Sequence, residues 1–391
     1  MTLDEAVEYA LKNNPELQVF RLEEEVIKGQ RVKARLLLRA NPTIESNLAR
    51  KGKSPVEEGA KRFTDYGLKL SQEFEIAGQR GLRISISDKD LRRISQEIKD
   101  KERVLISEVK DSFANTVASK RRIELTKEAI RIQEELLDFT RTKFQAGDVS
   151  ALQVNLAEVE LGKAKRESLV AEREYKEQIL ALQGLLGLKQ PDPSFAAEGT
   201  LPFDPPLLPD KDQLIISSLD RRPDLLAASE EVDSAKAAIE LVKREAVPNV
   251  TVAGFYDRDE RRNIVGVEFS IPIPFFDRKQ AERREALAKA EQARIKRAGL
   301  QRTIRKEIEE AYSNLASAVG EVSLFKAEIL SKSMENLSLL NLAFKEGKIS
   351  FFDVRLAQRE TLEPQFSYLD AQLRTQLAIN AMDRVTGGKT K

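Results

Sequence analysis

The chain has 391 residues, 33% of them charged, with no cysteine, histidine or tryptophan and with 65 Lys+Arg against 64 Asp+Glu. The missing side chains exclude a thiolate nucleophile, an imidazole base, a Ser-His-Asp triad and any Cys- or His-built zinc site. The balanced charge excludes a global field that would favour nucleic acid. Ala, Leu, Glu, Lys, Arg and Gln fill the long middle stretches, which is the composition of solvated helices with a narrow apolar seam.

Met1–Glu5 has neither a basic n-region nor an apolar h-region, which leaves either a cytosolic chain or one whose signal peptide has been removed. No run of eighteen apolar residues occurs, so no transmembrane helix is predicted. Thr2 and Glu5 form the spacing of a capping box, and the first helix runs from Leu3 to Asn13-Asn14-Pro15. A second helix starts at Pro15 and is predicted to reach Ala40, where Asn41-Pro42 stops it.

Residues 43–50 and 64–76 read as strands, separated by a polar loop over 51–63. In the second, Tyr66, Leu68, Leu70, Phe74 and Ile76 alternate with polar partners, the period-two signature of a half-buried strand. From about Gly81 to Gln145 nothing breaks a helix, and Leu125, Ala129, Ile132, Leu136 and Phe139 step by four and three along a coiled-coil seam. At 1.5 Å per residue that helix is roughly 100 Å long. Gly147 and Ser150 mark a tight reversal and an N-cap, and a returning helix covers 151–187.

The plan then repeats. A linker over 188–212 carries six prolines, and Ser218–Leu225 echoes Ala10–Leu17. Strands follow at 249–256 and 263–273, joined by the polar run Asp257–Arg262. A second long helix spans about 277–345, with Ile304, Ile308, Ala311, Leu315, Ala318, Val322, Phe325 and Ile329 in strict four-three spacing. Phe144, Gly147, Ser150, Val154, Leu156, Ala157, Glu160 and Gly187 recur at a constant offset of 200 as Phe344, Gly347, Ser350, Val354, Leu356, Ala357, Glu360 and Gly387. Eight ungapped identities at matching helical positions make the chain a tandem duplication, 1–187 and 213–391, of a helix–strand–strand–long helix–turn–helix unit. Pro364 stands where the first copy has Ala164, so a kink or break is expected in the last helix.

The fold class is thus mainly α, with four short amphipathic strands that cannot make a stable isolated sheet in water. Strands of this length with one apolar and one polar face suit an outer-membrane barrel if several subunits contribute. A soluble coiled-coil scaffold explains the seams but not the duplicated strand pairs. An enzyme has no constellation to support it, and no cofactor or metal is expected.

Residues 3–17 (Leu-Asp-Glu-Ala-Val-Glu-Tyr-Ala-Leu-Lys-Asn-Asn-Pro-Glu-Leu), their echo at 221–225, the strand exits and both F-x-x-G turns resemble the TolC-like outer-membrane efflux family over nearly the whole chain. Ser71–Gly81 resembles its heavy-metal, cobalt–zinc–cadmium type branch. The resemblance implies a homotrimer with a trimeric α-helical barrel crossing the periplasm and a shared twelve-stranded β-barrel in the outer membrane. The duct would be passive, carrying metal ions or drugs delivered by a periplasmic adaptor and an inner-membrane pump of the RND type. It also implies that the turns at Gly147, Asp148, Ser150 and at Gly347, Lys348, Ser350 form the adaptor-contacting tip. Asp353 would be an acidic gate residue there. The pattern departs at Leu356 and Ile349, where the family's second gate acid and its basic partner would fall. Read from the residues alone, Gly147 and Gly347 are helix reversals, Ser150 and Ser350 are N-caps, and Asp353 is an acid in a first helical turn. Ile271–Phe276 reads as a strand bending into a helix, with Phe275 and Phe276 placed to anchor at a membrane interface.

Overall fold

The structure is a computed structural model. It describes residues 1–50, 64–201, 208–259, 262–330 and 351–388, with five single positions between 330 and 351, and the side chains of 351–361 lie outside the described residues. In chain order the elements are α1 (Leu3–Asn13), α2 (Pro15–Arg35), β1 (Thr43–Arg50), β2 (Thr64–Phe74), α3 (Gln79–Gln145), α4 (Ala151–Leu186), α5 (Lys211–Arg221) and α6 (Pro223–Glu245). There follow β3 (Val250–Asp259), β4 (Arg262–Ser270), α7 (Gln280–Leu324), a π-helical turn (Phe325–Ile329) and α8 (Phe351–Val385).

The helix starts follow their local chemistry. Thr2 N–H donates to Glu5 Oε2 at 2.8 Å and Glu5 N–H to Thr2 Oγ1 at 3.4 Å, the reciprocal capping box that opens α1. Asn14 sits where α1 hands over to α2. Its Oδ1 accepts from Leu17 N–H at 3.1 Å, and its amide donates to Leu185 O at 3.0 Å, tying the joint to the end of α4. Gly187, at φ +75, closes α4 beside Asn13, where a Cβ would lie 2.5 Å from the Asn13 carbonyl oxygen. The corresponding joint between α5 and α6 is built differently: Arg222 is buried, and its Nη1 donates to Glu307 at 2.6 Å and to Val385 O at 3.2 Å, next to Gly387 at φ +90.

Several boundaries depart from expectation for identifiable reasons. α2 ends at Arg35 rather than Ala40, because Arg80 Nη2 donates to Arg35 O at 2.9 Å and its Nε to Leu36 O at 3.3 Å, satisfying the last carbonyls from outside the helix. β2 ends at Phe74, two residues short of the expected 76. Of the run Asp257–Arg262, expected as a loop, Asp257, Arg258, Asp259 and Arg262 are strand, with pairing continuing to Asp259↔Arg262. Its charge is accommodated across the ladder, since Arg258 Nη1 donates to Tyr66 Oη at 3.2 Å and lies 5.8 Å from that ring's centre. β4 stops at Ser270 rather than 273, before two prolines that cannot donate to a ladder. α7 begins at Gln280, and its α-helical hydrogen bonding gives way to the π-helical turn at Phe325. Its seam is buried from Ile304 to Val322, but Phe325 and Ile329 are only half-buried, because a π turn shifts the phase of the residues in it. α8 runs through Pro364 without a break.

The residues group into two compact units, Met1–Phe20, Ile98–Pro223 and Gln301–Lys391 in one, Arg21–Glu97 and Asp224–Leu300 in the other. In the first unit α4, α3, α8 and α7 lie side by side. Leu136, Leu137 and Ala157 join α3 to α4, while Ala118, Leu125 and Leu369 join α3 to α8. Thr375 Oγ1 donates to Ala318 O at 3.2 Å between α8 and α7. In the second unit the order is α2, α3, α6, α7, linked by Arg31–Asp88 at 2.5 Å, Ser234–Asp90 at 2.8 Å and Arg297–Ser229 at 3.0 Å.

The second unit also holds one four-stranded antiparallel sheet in the order β1-β2-β3-β4, so the central β2–β3 pairing joins strands from the two halves of the chain. Period-two alternation sorts most of its side chains, with Arg258 and Asn263 on the otherwise apolar face and Phe255 and Ile264 on the otherwise polar one. Ile44, Leu48, Leu68, Leu70, Val267 and Phe269 fall on one face, and all are exposed. The other face carries Glu45, Asn47, Lys69, Asp257 and Glu268, with Lys69 Nζ on Glu268 at 2.8 Å. Where strand meets helix, the buried Gln79 accepts from Ala77 N–H at 2.9 Å and donates to Asn249 Oδ1 at 3.2 Å, and Asn249 donates on to Glu73 at 2.6 Å. Proximity in sequence gave no hint of this cross-repeat clasp.

Candidate functional site

Two regions carry chemistry that packing alone does not use, the helical turn after α3 and the apolar sheet face. At the turn, Gly147 adopts φ +84 with nothing within 4 Å of a Cβ position. Gly147 N–H donates to Phe144 O at 3.0 Å and Asp148 N–H to Lys143 O at 2.9 Å, which closes the α3 carbonyls in a left-handed cap. Lys143 Nζ reaches the Asp148 carboxylate at 3.0 Å. Ser150 is extended at φ −85, ψ 158, and its N–H donates to Gln153 Oε1 at 2.9 Å, so α4 starts one step after the reversal. Behind the turn, Arg141 and Glu158 bridge the two helices at 2.6 Å. Gly147, Asp148 and Ser150 are exposed, and so are Phe144 and Leu152 beside them, so the turn presents both polar and apolar groups.

The second turn, with Gly347, Lys348 and Ser350, lies outside the described residues. Asp353 is in the first turn of α8, and its side chain lies outside them too. The structure therefore places Gly147, Asp148 and Ser150 in the one turn between α3 and α4. Among the described residues no group of three or more His, Cys, Asp or Glu is placed to hold a metal ion.

The sheet has an apolar face exposed on β1, β2 and β4, and among the described residues its outer strands β1 and β4 each pair on one side only. No described helix is long and apolar enough to cross a membrane.

The sequence profile of outer membrane efflux proteins matches residues 6–188 and 214–388. The chain belongs to the outer membrane efflux protein family. The cobalt-zinc-cadmium resistance protein CzcC of Cupriavidus metallidurans is 23% identical over 99% of this chain and 90% of its own length. The pyoverdine export outer membrane protein OpmQ of Pseudomonas aeruginosa is 21% identical over 82% of this chain and 69% of its own. A solved membrane protein from Pseudomonas aeruginosa superposes with a TM-score of 0.82 at 21% identity, covering 99% of this chain and 90% of that one. Membership makes this chain an outer-membrane efflux channel with a periplasmic extension rather than an enzyme, and favours the channel over a soluble coiled-coil scaffold. Channels of the family are trimers that work with an adaptor and an inner-membrane pump.

Proposed function

We propose that three copies of this efflux channel close one barrel of twelve strands, 3 × 4, by pairing β4 of each copy with β1 of the next. The observation that carries this reading is the apolar sheet face, exposed on β1, β2 and β4, beside two edges that pair on one side only among the described residues. A barrel in lipid consumes both, because it closes the edges and gives the apolar face a solvent of its own kind. The opposite face, with Glu45, Asp257 and Glu268 against Lys69, then lines the water-filled exit.

The repeats 1–187 and 213–391, joined by 188–212, supply the helices of a trimeric α-barrel in the periplasm. Its tip is formed by Gly147, Asp148 and Ser150 with Gly347, Lys348 and Ser350, and this is the surface offered to the adaptor. The pump is of the RND type, the surrounding lipid is that of the outer membrane, and the cargo is metal ions, in keeping with the relative that aligns over 99% of this chain. Conduction is passive. Three Asp353 carboxylates form an acidic ring in the narrow end, where mutual repulsion and a small radius favour cations.

Planar-bilayer recording of the purified trimer tests the ring. Asp353→Asn is expected to reduce cation-over-anion selectivity while the channel still inserts. Unchanged selectivity and conductance would remove Asp353 from the gate and leave the barrel reading intact.

A further inference from the structure

The sheet sorts its charges by face. Glu45, Asp65, Glu73, Asp257, Asp259 and Glu268, all the carboxylates of the described strands, fall on the polar side together with Lys69 and Arg262. The apolar side carries no carboxylate and two cations, Arg50 and Arg258, both at the end of the sheet away from the helices. Alternation turns Asp257 and Asp259, the chain neighbours of Arg258, to the opposite face. Neither arginine has an ion pair among the described residues.

Arg258 is positioned by tyrosines. Its Nη1 donates to Tyr66 Oη at 3.2 Å, and the guanidinium carbon lies 5.8 Å from the centre of that ring. The Tyr66 and Tyr256 rings are 6.3 Å apart, and Tyr256 Oη donates to Asn263 Oδ1 at 3.1 Å. The same face continues directly in Leu48, Leu68 and Val265, all exposed. Tyr66 accepts from one of the five N–H groups of a planar fork whose geometry matches phosphate oxygens. An arginine on a lipid-facing surface is costly at mid-membrane and stable near the headgroups, where phosphate meets it.

We propose that Arg258, set by Tyr66 and Tyr256, binds the phosphate of a membrane lipid headgroup in the leaflet away from the helices, with Arg50 adding to the local positive charge. This rests on the reading that the apolar sheet face meets lipid. The occupant is a lipid phosphate because the site continues the apolar face and its charge is uncompensated by any carboxylate of the described strands on that side.

The chain contains no tryptophan, so Val265→Trp, across the ladder from Tyr256, supplies a unique fluorophore beside the site. Trimers of this reporter are reconstituted into phosphatidylcholine vesicles holding a minor share of phosphatidic acid, with brominated acyl chains on one lipid or the other. Phosphatidic acid is expected to quench beyond its share, with a relative binding constant about fivefold above that of phosphatidylcholine, the size of one cation meeting an anionic headgroup. Adding Arg258→Gln brings that ratio close to one, whereas Lys69→Gln, on the opposite face, leaves it unchanged. A ratio near one in the parent reporter, or one that survives Arg258→Gln, overturns the site. An equal loss in Lys69→Gln overturns it too, since a general field would then suffice. If inorganic phosphate removes the preference where chloride of equal ionic strength does not, the ligand is the free ion and the lipid assignment fails. If neither brominated lipid quenches Val265→Trp, the sheet reading itself fails and the site with it.

Discussion

Gly147 and Gly187 adopt the same left-handed backbone but face different surroundings, and that difference is measurable. Alanine at Gly147 meets nothing within 4 Å and bears only the left-handed penalty, about 1–2 kcal/mol. Alanine at Gly187 bears it too, and its Cβ also presses on the Asn13 carbonyl, which is backbone and cannot swing away. Urea unfolding followed by helical circular dichroism is expected to show Gly187→Ala the more destabilised of the two, while equal losses would mean the α1–α2 joint yields. Asp111 offers a pH test. Burial pushes its carboxyl above the usual 3.8, opposed by the Asn380 amide hydrogen bond, Arg384 and Lys110. The folded chain therefore holds this proton to higher pH than the unfolded chain does, and stability falls as pH rises from the usual value through the folded one. Asp111→Asn, which can still accept from Asn380, is expected to melt higher than the parent at neutral pH and to match it below pH 3.8. A variant that melts lower at neutral pH would show that the nearby cations outweigh burial.

At the scale of elements, stability lies in the seams. Ile304 and Ile308 on α7 are fully buried, so Ile308→Ala is expected to cost about 2–5 kcal/mol. Phe325→Ala, half-buried in the π turn, should cost clearly less in the same thermal melts. A comparable loss would mean that the turn packs as tightly as the helix before it. The seam was legible because four-three spacing is a property of the helix alone. Strand faces were legible for the same reason, since alternation needs no knowledge of the partner. The boundaries that moved were set from outside their own elements. Arg80 ends α2 from forty-five residues away, and the Tyr66 ring carries Arg258 into a ladder that local polarity marks as loop. The joints at Asn14 and Arg222 could have been sought at the residue preceding a proline, where both copies change direction. Their partners, Leu185 and Glu307, are invisible until the chain is folded. At the candidate tip, the reversal at Gly147 and the cap at Ser150 were readable from turn chemistry. The Lys143–Asp148 bridge was not, because ion pairing there depends on the path of the cap.

For the whole molecule, one chain is an incomplete object. Its sheet exposes an apolar face and two open edges, and α7 flanks the row of helices in each unit. On the proposed barrel, association in a membrane buries the apolar face and pairs both edges, so four strands per chain suffice. The measurement that bears most directly on this account is the protein mass of the purified chain by light scattering, with and without detergent. With a chain of 44.1 kDa, the account predicts 3 × 44.1 = 132.3 kDa in detergent and aggregation when detergent is removed. A monodisperse monomer or dimer in plain buffer would contradict it.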